Sequence, residues 1–177
     1  MPWGRTWSEE LVAEWLELEG FLVTIGLKVG TGKGGGRKEA DVVGARIRNS
    51  NLEIMHVEIG ALYESSGNIV KIVTQKFDSS RVDVVKNYFL QLLGFKGHQI
   101  KYNKLYVLTT SRKDKKSINN MLAPNGVKFW DIDDLIEKIK QSIDAWVQVH
   151  KTPQNPFPAL PESYWMLQLF RVLIAER

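Results

Sequence analysis

The sequence predicts an α/β chain: a mixed β-sheet flanked by helices, with an extra helix at the C-terminal end. Three observations lead there. The 177 residues are 44% hydrophobic and 25% charged with no cysteine, the profile of an ordinary folded domain rather than a disordered, collagen-like or disulfide-stapled chain. A first helical stripe is followed at once by three strand-like segments. The hydrophobic period then changes to helix, strand, strand and helix, the pattern of a mixed sheet covered on its faces.

Each element has a local reason. Ser8 reads as an N-cap, and Leu11, Val12, Trp15, Leu16 and Leu18 form one helical stripe that ends at Gly20. Residues 21–30 read as a strand, and the glycine-rich stretch 30–38 as a hairpin loop. Residues 39–48 and 52–62 are the next strands, joined by an Asn-Ser-Asn turn. Residues 65–77 are rich in β-branched side chains, yet Ile69, Ile72, Val73 and Phe77 fall at helical spacing, and helix is the reading taken. Residues 79–95 form a clearer helix, capped by serine and closed by Gly94. Residues 104–111 and 126–132 read as strands, with no element assigned between them, and 133–149 as an amphipathic helix with an acidic first turn. The division expected is a domain over 1–150, a proline-rich connector over 151–161, and a terminal helix over 162–177 that packs on the core or on a partner, such as a second copy in a homodimer.

Composition narrows the chemistry. Without cysteine there is no thiol nucleophile and no Cys-ligated zinc, and His56, His98 and His150 lie far apart in the chain. Catalysis would have to use carboxylates, lysines or hydroxyls. No signal-peptide pattern and no apolar run of membrane-spanning length is present, so a cytoplasmic location away from membranes is expected. The net charge of +4 is unevenly spread. Residues 1–27 set Arg5 against five glutamates, residues 28–48 set six basic side chains against two acidic ones, and residues 71–116 set eleven against three. Segregated basic stretches suit a polyanionic partner and equally suit a solvated surface.

Two acids stand out. Asp41 lies inside the strand-like EADVVG and Glu58 inside IMHVEIGAL, where an unpaired charge would suffer a large desolvation cost. Carboxylates on adjacent strands can share one hard cation such as Mg²⁺, or Mn²⁺, and an ion beside a phosphodiester activates water and neutralises the leaving oxygen. Plainer readings stay open: Asp41 as a turn residue at the start of its strand, and Glu58 as the partner of a basic neighbour.

The order of these features resembles the PD-(D/E)XK nuclease superfamily, the restriction-endonuclease-like fold. A first helix bearing Glu, a glycine-rich hairpin, Asp in EADVVG and Glu in HVEIG, then helix and strand, carry the resemblance over about residues 5–140, and SEELVAEWLELEGF is similar to the archaeal Holliday-junction resolvase branch. The resemblance implies a Mg²⁺-dependent endodeoxyribonuclease with Asp41 as the metal-bridging Asp and Glu58 as the acid of the (D/E)-x-K pair. It implies Glu9 as the helical Glu of the metal site, with Glu10 and Glu14 as alternatives. Glu9 also suits a helix N-terminus for its charge alone.

One position departs from the pattern. The family lysine two residues after the acid is Gly60 here, which is expected to leave the adjacent space empty. Either activity is lost, leaving a non-catalytic nucleic-acid-binding or assembly module, or a lysine enters from the following helix. There Lys76 falls among Ile69, Ile72 and Val73, whereas Lys71 points to the opposite side, so Lys76 is favoured. GTGKGGGRK is not a nucleotide-binding loop, because Lys33 is followed by Gly34 and a strand rather than by Ser or Thr and a helix. Lys28, Lys33, Arg37 and Lys38 beside those glycines suit contact with a DNA backbone and equally a plain flexible turn, and Arg112 and Lys113 in SRKDKK suit a phosphate contact and equally a solvated loop. His56 shares a strand face with Glu58 and reads first as a hydrogen-bonded structural histidine, with contact to a metal-bound water or substrate as the alternative.

Overall fold

The computed structural model describes residues 6–31, 37–97 and 99–175. Along the chain it contains α1 (Trp7–Leu18), β1 (Leu22–Thr31), β2 (Arg37–Arg48), β3 (Asn51–Gly60), α2 (Ser66–Lys76), α3 (Ser79–Leu93), β4 (Ile100–Leu108), α4 (Lys115–Leu122), β5 (Val127–Trp130), α5 (Ile132–His150) and α6 (Trp165–Ala175). This is the mixed α/β architecture that the periodicity predicts.

The sheet runs β1-β2-β3-β4-β5. Asn49 and Ser50 both take positive φ, 51° and 63°, the two-residue turn whose twist matches an antiparallel hairpin, and β2 accordingly pairs antiparallel with β3. The next connection passes through α2 and α3, long enough to reverse the chain, so β4 pairs parallel with β3 and β5 parallel with β4. Alternation along the strands then sends side chains to two buried faces.

One face packs Leu11, Val12, Trp15 and Leu16 of α1 on Val42, Val57, Leu105 and Val107, with Leu135, Ile139 and Ile143 of α5 and Leu167 of α6. Each such aliphatic side chain contributes about 1.5–3 kcal/mol when fully buried. The Trp15 indole donates to Ser142 Oγ at 3.1 Å and its ring lies 5.7 Å from that of Trp130, which joins α1 to α5 and the sheet. The opposite face is covered in two parts. Ile69, Val73 and Phe77 pack with Ile118 and Leu122 of α4 over Tyr106 and Phe129. Val85 and Phe89 of α3 pack on Val43, Ala45, Leu52 and Ile54.

The C-terminal helix docks on the core. Buried Glu14 accepts the backbone N–H groups of Met166 and Leu167 at 3.1 and 2.8 Å, placing a carboxylate on the N-terminus of α6 where the helix dipole favours it. Burial pushes the Glu14 carboxyl upward despite those bonds. The outward side of α6 exposes Trp165, Leu169, Val172 and Leu173.

Several local expectations are corrected. The cap of α1 is Thr6, not Ser8: its hydroxyl accepts from Glu9 N while the Glu9 carboxylate accepts from Thr6 N, a reciprocal box, and Ser8 is buried in the first turn. The cap of α3 is Asp78, whose carboxylate accepts from Arg81 N. Helix α4 fills a segment that had no assigned element. It is held by the fully buried Ile118 and Leu122 and by Asn119, whose side chain donates to Phe129 O and accepts from Phe129 N at 2.7 and 2.9 Å. No helix among the described residues is long and apolar enough to cross a membrane.

Candidate active site

The hairpin register builds the centre of the site. Val42 pairs with Val57, so Asp41 and Glu58 occupy the next rung, side by side on adjacent strands. Asp41 Oδ2 accepts a 2.7 Å hydrogen bond from Ile59 N, which locks its carboxylate against β3. Burial, and then the neighbouring Glu58 charge, push the Asp41 carboxyl from 3.8 to about 6, while Lys76 acts in the opposite direction and Glu9 adds a smaller push upward.

Glu58 has no exposed surface. Its Oε1 lies 3.0 Å from His56 Nε2, and His56 Nδ1 lies 2.8 Å from the Tyr102 hydroxyl. With one proton on the ring, the carboxylate acceptor fixes Nε2 as donor, and Nδ1 then accepts from Tyr102. Phe77 braces the imidazole edge-on at 4.8 Å. The other oxygen, Glu58 Oε2, receives no directed hydrogen bond and faces Lys76 Nζ at 2.8 Å as an ion pair. Lys76 reaches it because α2 is helical: Ile69 and Val73 bury the inner face, and Lys76 sits on the last turn of that face. Lys71 is exposed on the other side of the helix. The plainer reading of Glu58, as the partner of a basic neighbour, is met by Lys76.

The space beside Gly60 is filled, contrary to expectation. Parallel pairing sets Tyr106 beside Glu58, and a Cβ built on Gly60 would stand 2.7 Å from the Tyr106 hydroxyl oxygen. That ring is 2% exposed and stacks on Phe129 with an interplanar angle of 5°, so it has little room to move. Burial raises the Tyr106 phenol, and the Asp41 and Glu58 charges raise it further, keeping it a neutral group at neutral pH. Tyr102 is raised by burial and by Glu58 in the same way.

The remaining candidates scatter. Glu9 is near enough to act on Asp41, but its carboxylate is committed to the Thr6 cap. Glu14 turns to α6, and Glu10 lies close enough to raise it. Lys28 and Lys38 are exposed on the β1–β2 hairpin. Lys33 lies outside the described residues, as does the Arg37 side chain. Lys113 is exposed, whereas Arg112 spends its guanidinium inside the fold: it donates to Asp114 at 2.6 and 2.8 Å and to Glu64 O at 3.0 Å, and it holds the Asp114 carboxyl well below the usual range. Arg112 therefore clamps the loop after β4 to the segment before α2 and is not presented to a phosphate.

Among the described residues no group of three or more His, Cys, Asp or Glu side chains could hold a metal ion. Asp41 and Glu58 alone still suit Mg²⁺ or Mn²⁺, which binds through one or two carboxylates and keeps several waters. The buried Glu58 Oε2, which receives no directed hydrogen bond, is the atom that fits such an ion best.

No protein-family model and no curated protein matches the chain. A solved structure that does match, the crystal structure of a protein of unknown function, AF1548, is 12% identical over 97% of this chain and 98% of its own, with a TM-score of 0.35. A likeness at that level carries no argument about function.

Two outcomes are expected from this geometry. The folded chain favours protonated Asp41, so between about pH 4 and 6 it binds more protons than the unfolded chain and loses stability as pH rises through that window. Relative to Asp41→Asn, urea denaturation should show wild type falling behind by up to about 3 kcal/mol from pH 4 to 7, since each tenfold change in proton affinity is worth about 1.4 kcal/mol. A flat difference contradicts the assignment. Gly60→Ala should destabilise the chain by about 1–3 kcal/mol through overpacking, and much less in a Tyr106→Phe background. Equal losses in both backgrounds would show that the hydroxyl does not fill the notch.

Proposed function

We propose that the chain is a divalent-metal-dependent nuclease that hydrolyses DNA phosphodiester bonds. The observation that carries this reading is the pairing of Asp41 and Glu58 on adjacent strands, with Lys76 of the following helix at Glu58. DNA as substrate rests on the resemblance to PD-(D/E)XK nucleases.

In this reading Asp41 and Glu58 hold Mg²⁺ or Mn²⁺, which supplies positive charge to the phosphate and lowers the pKa of a water. The Ile59 N–H fixes Asp41, and the Tyr102–His56 pair fixes one oxygen of Glu58. Lys76 brings an ammonium to the place where charge builds on the phosphate and its attacking water. Lys28 and Lys38 offer exposed positive charge to the backbone of the substrate.

A second reading, a nucleic-acid-binding module without catalysis, is favoured by the closure around Glu58 and by glycine at the family lysine position. Cleavage separates the two. Plasmid, duplex, single-stranded and branched DNA should be cut with Mg²⁺ or Mn²⁺ and not with EDTA, and Asp41→Asn should lower the rate at least about a hundredfold, in line with losing one charge-stabilising group. Unchanged cleavage by Asp41→Asn would contradict the nuclease reading. Binding that weakens steeply with salt, with no cleavage of any substrate by wild type, would establish the second one.

A further inference from the structure

We infer that Lys76 is a built-in competitor of the metal: its ammonium occupies Glu58 Oε2 as an internal counter-ion, and a divalent ion takes that oxygen only by displacing it. The inference rests on the metal reading of Asp41 and Glu58 and adds an exchange that couples ion binding to release of the lysine.

The two oxygens of Glu58 are not equivalent. Oε1 is held at 3.0 Å by His56, whose other nitrogen is held at 2.8 Å by Tyr102, so neither the carboxylate nor the imidazole has freedom to turn. Oε2 has no directed hydrogen bond and meets Lys76 Nζ at 2.8 Å. It is the oxygen left for a cation. The Glu58 side chain is 0% exposed while that of Lys76 is 34% exposed, so the lysine lies between the carboxylate and solvent. Its field also reaches Asp41, whose carboxyl it pulls downward. Two carboxylates and one ammonium leave net negative charge in a low-dielectric place, and a divalent ion in place of the ammonium neutralises the pair. The lysine has the means to leave, since a four-carbon stem on the last turn of α2 swings toward water and the divalent ion takes over its pairing with Glu58.

The consequence is an opposition of sign. Removing the lysine should tighten metal binding while weakening turnover, whereas a lysine that merely assists the ion would lower both. Mn²⁺ binding followed by electron paramagnetic resonance should be at least about tenfold tighter in Lys76→Met than in wild type, a factor worth about 1.4 kcal/mol. Lys76→Arg should remain near wild type and Lys71→Met should be unchanged. In wild type itself, the side-chain ¹H–¹⁵N signal of the Lys76 ammonium should shift as Mg²⁺ is titrated, a readout that needs no variant to fold. Equal or weaker Mn²⁺ binding by folded Lys76→Met, or a Lys76 signal unmoved at Mg²⁺ saturation, overturns the exchange and leaves the metal site standing. Absence of Mn²⁺ binding in both wild type and Lys76→Met overturns the metal reading and the exchange with it.

Discussion

A carboxylate without exposed surface in the middle of a sheet has to be neutralised and hydrogen-bonded from within the protein, and Glu58 imposes that requirement on everything around it. Desolvating an isolated ion costs several kcal/mol, and about 20 kcal/mol in the idealised limit, so partners are required. The fold meets the demand from three directions. The residue two places earlier on the same strand supplies His56, the parallel neighbour strand supplies Tyr102 to hold that histidine, and α2 supplies Lys76. Asp41 then adds a second negative charge on the adjacent strand, which works against stability. That second acid accepts its hydrogen bond from the Ile59 backbone N–H, which any acceptor of similar reach would satisfy.

That imbalance of charge sets the cluster apart from a simple buried ion pair and is the basis of the proposed metal site. A structural ion pair would need one acid and one base. Here two acids share one ammonium, and one of the acids is pushed to about 6 by burial and by its neighbour. Perturbed carboxyls that face one another are typical of places where a cation or a proton is handled. By contrast, the other carboxylates that sequence order nominated have structural duties. Glu9 closes a helix cap and Glu14 seats the C-terminal helix. Arg112 likewise belongs to a clamp between loops.

What was legible in the sequence was what local pattern controls. Charges inside apolar strand segments marked Asp41 and Glu58, because desolvation makes such residues conspicuous. Helical spacing separated Lys76 from Lys71, and the structure places Lys76 at Glu58. The Thr6–Glu9 box was also written in the sequence, as Thr followed three residues later by Glu, but the nearer Ser8 masked it. What was not legible came from long-range pairing. Tyr102 and Tyr106 reach the site only because β4 lies parallel to β3 in one register, and no local period announces that register. For the same reason Gly60 looked like an empty place, whereas it is a notch shaped for a hydroxyl from the neighbouring strand. Helix α4 was missed because it is only 8 residues long and its local pattern shows a single buried apolar pair, Ile118 and Leu122, while its bridge through Asn119 to the β5 backbone is long-range.

Whether Asp41 and Glu58 form one cation site is tested most directly by a crystal structure of the chain with Mn²⁺, with anomalous scattering recorded at the manganese edge. One peak bridging the Asp41 and Glu58 carboxylates is expected, with Lys76 Nζ withdrawn from Glu58 Oε2. No peak there at saturating Mn²⁺, with the 2.8 Å Lys76–Glu58 pair still in place, would contradict a shared cation site.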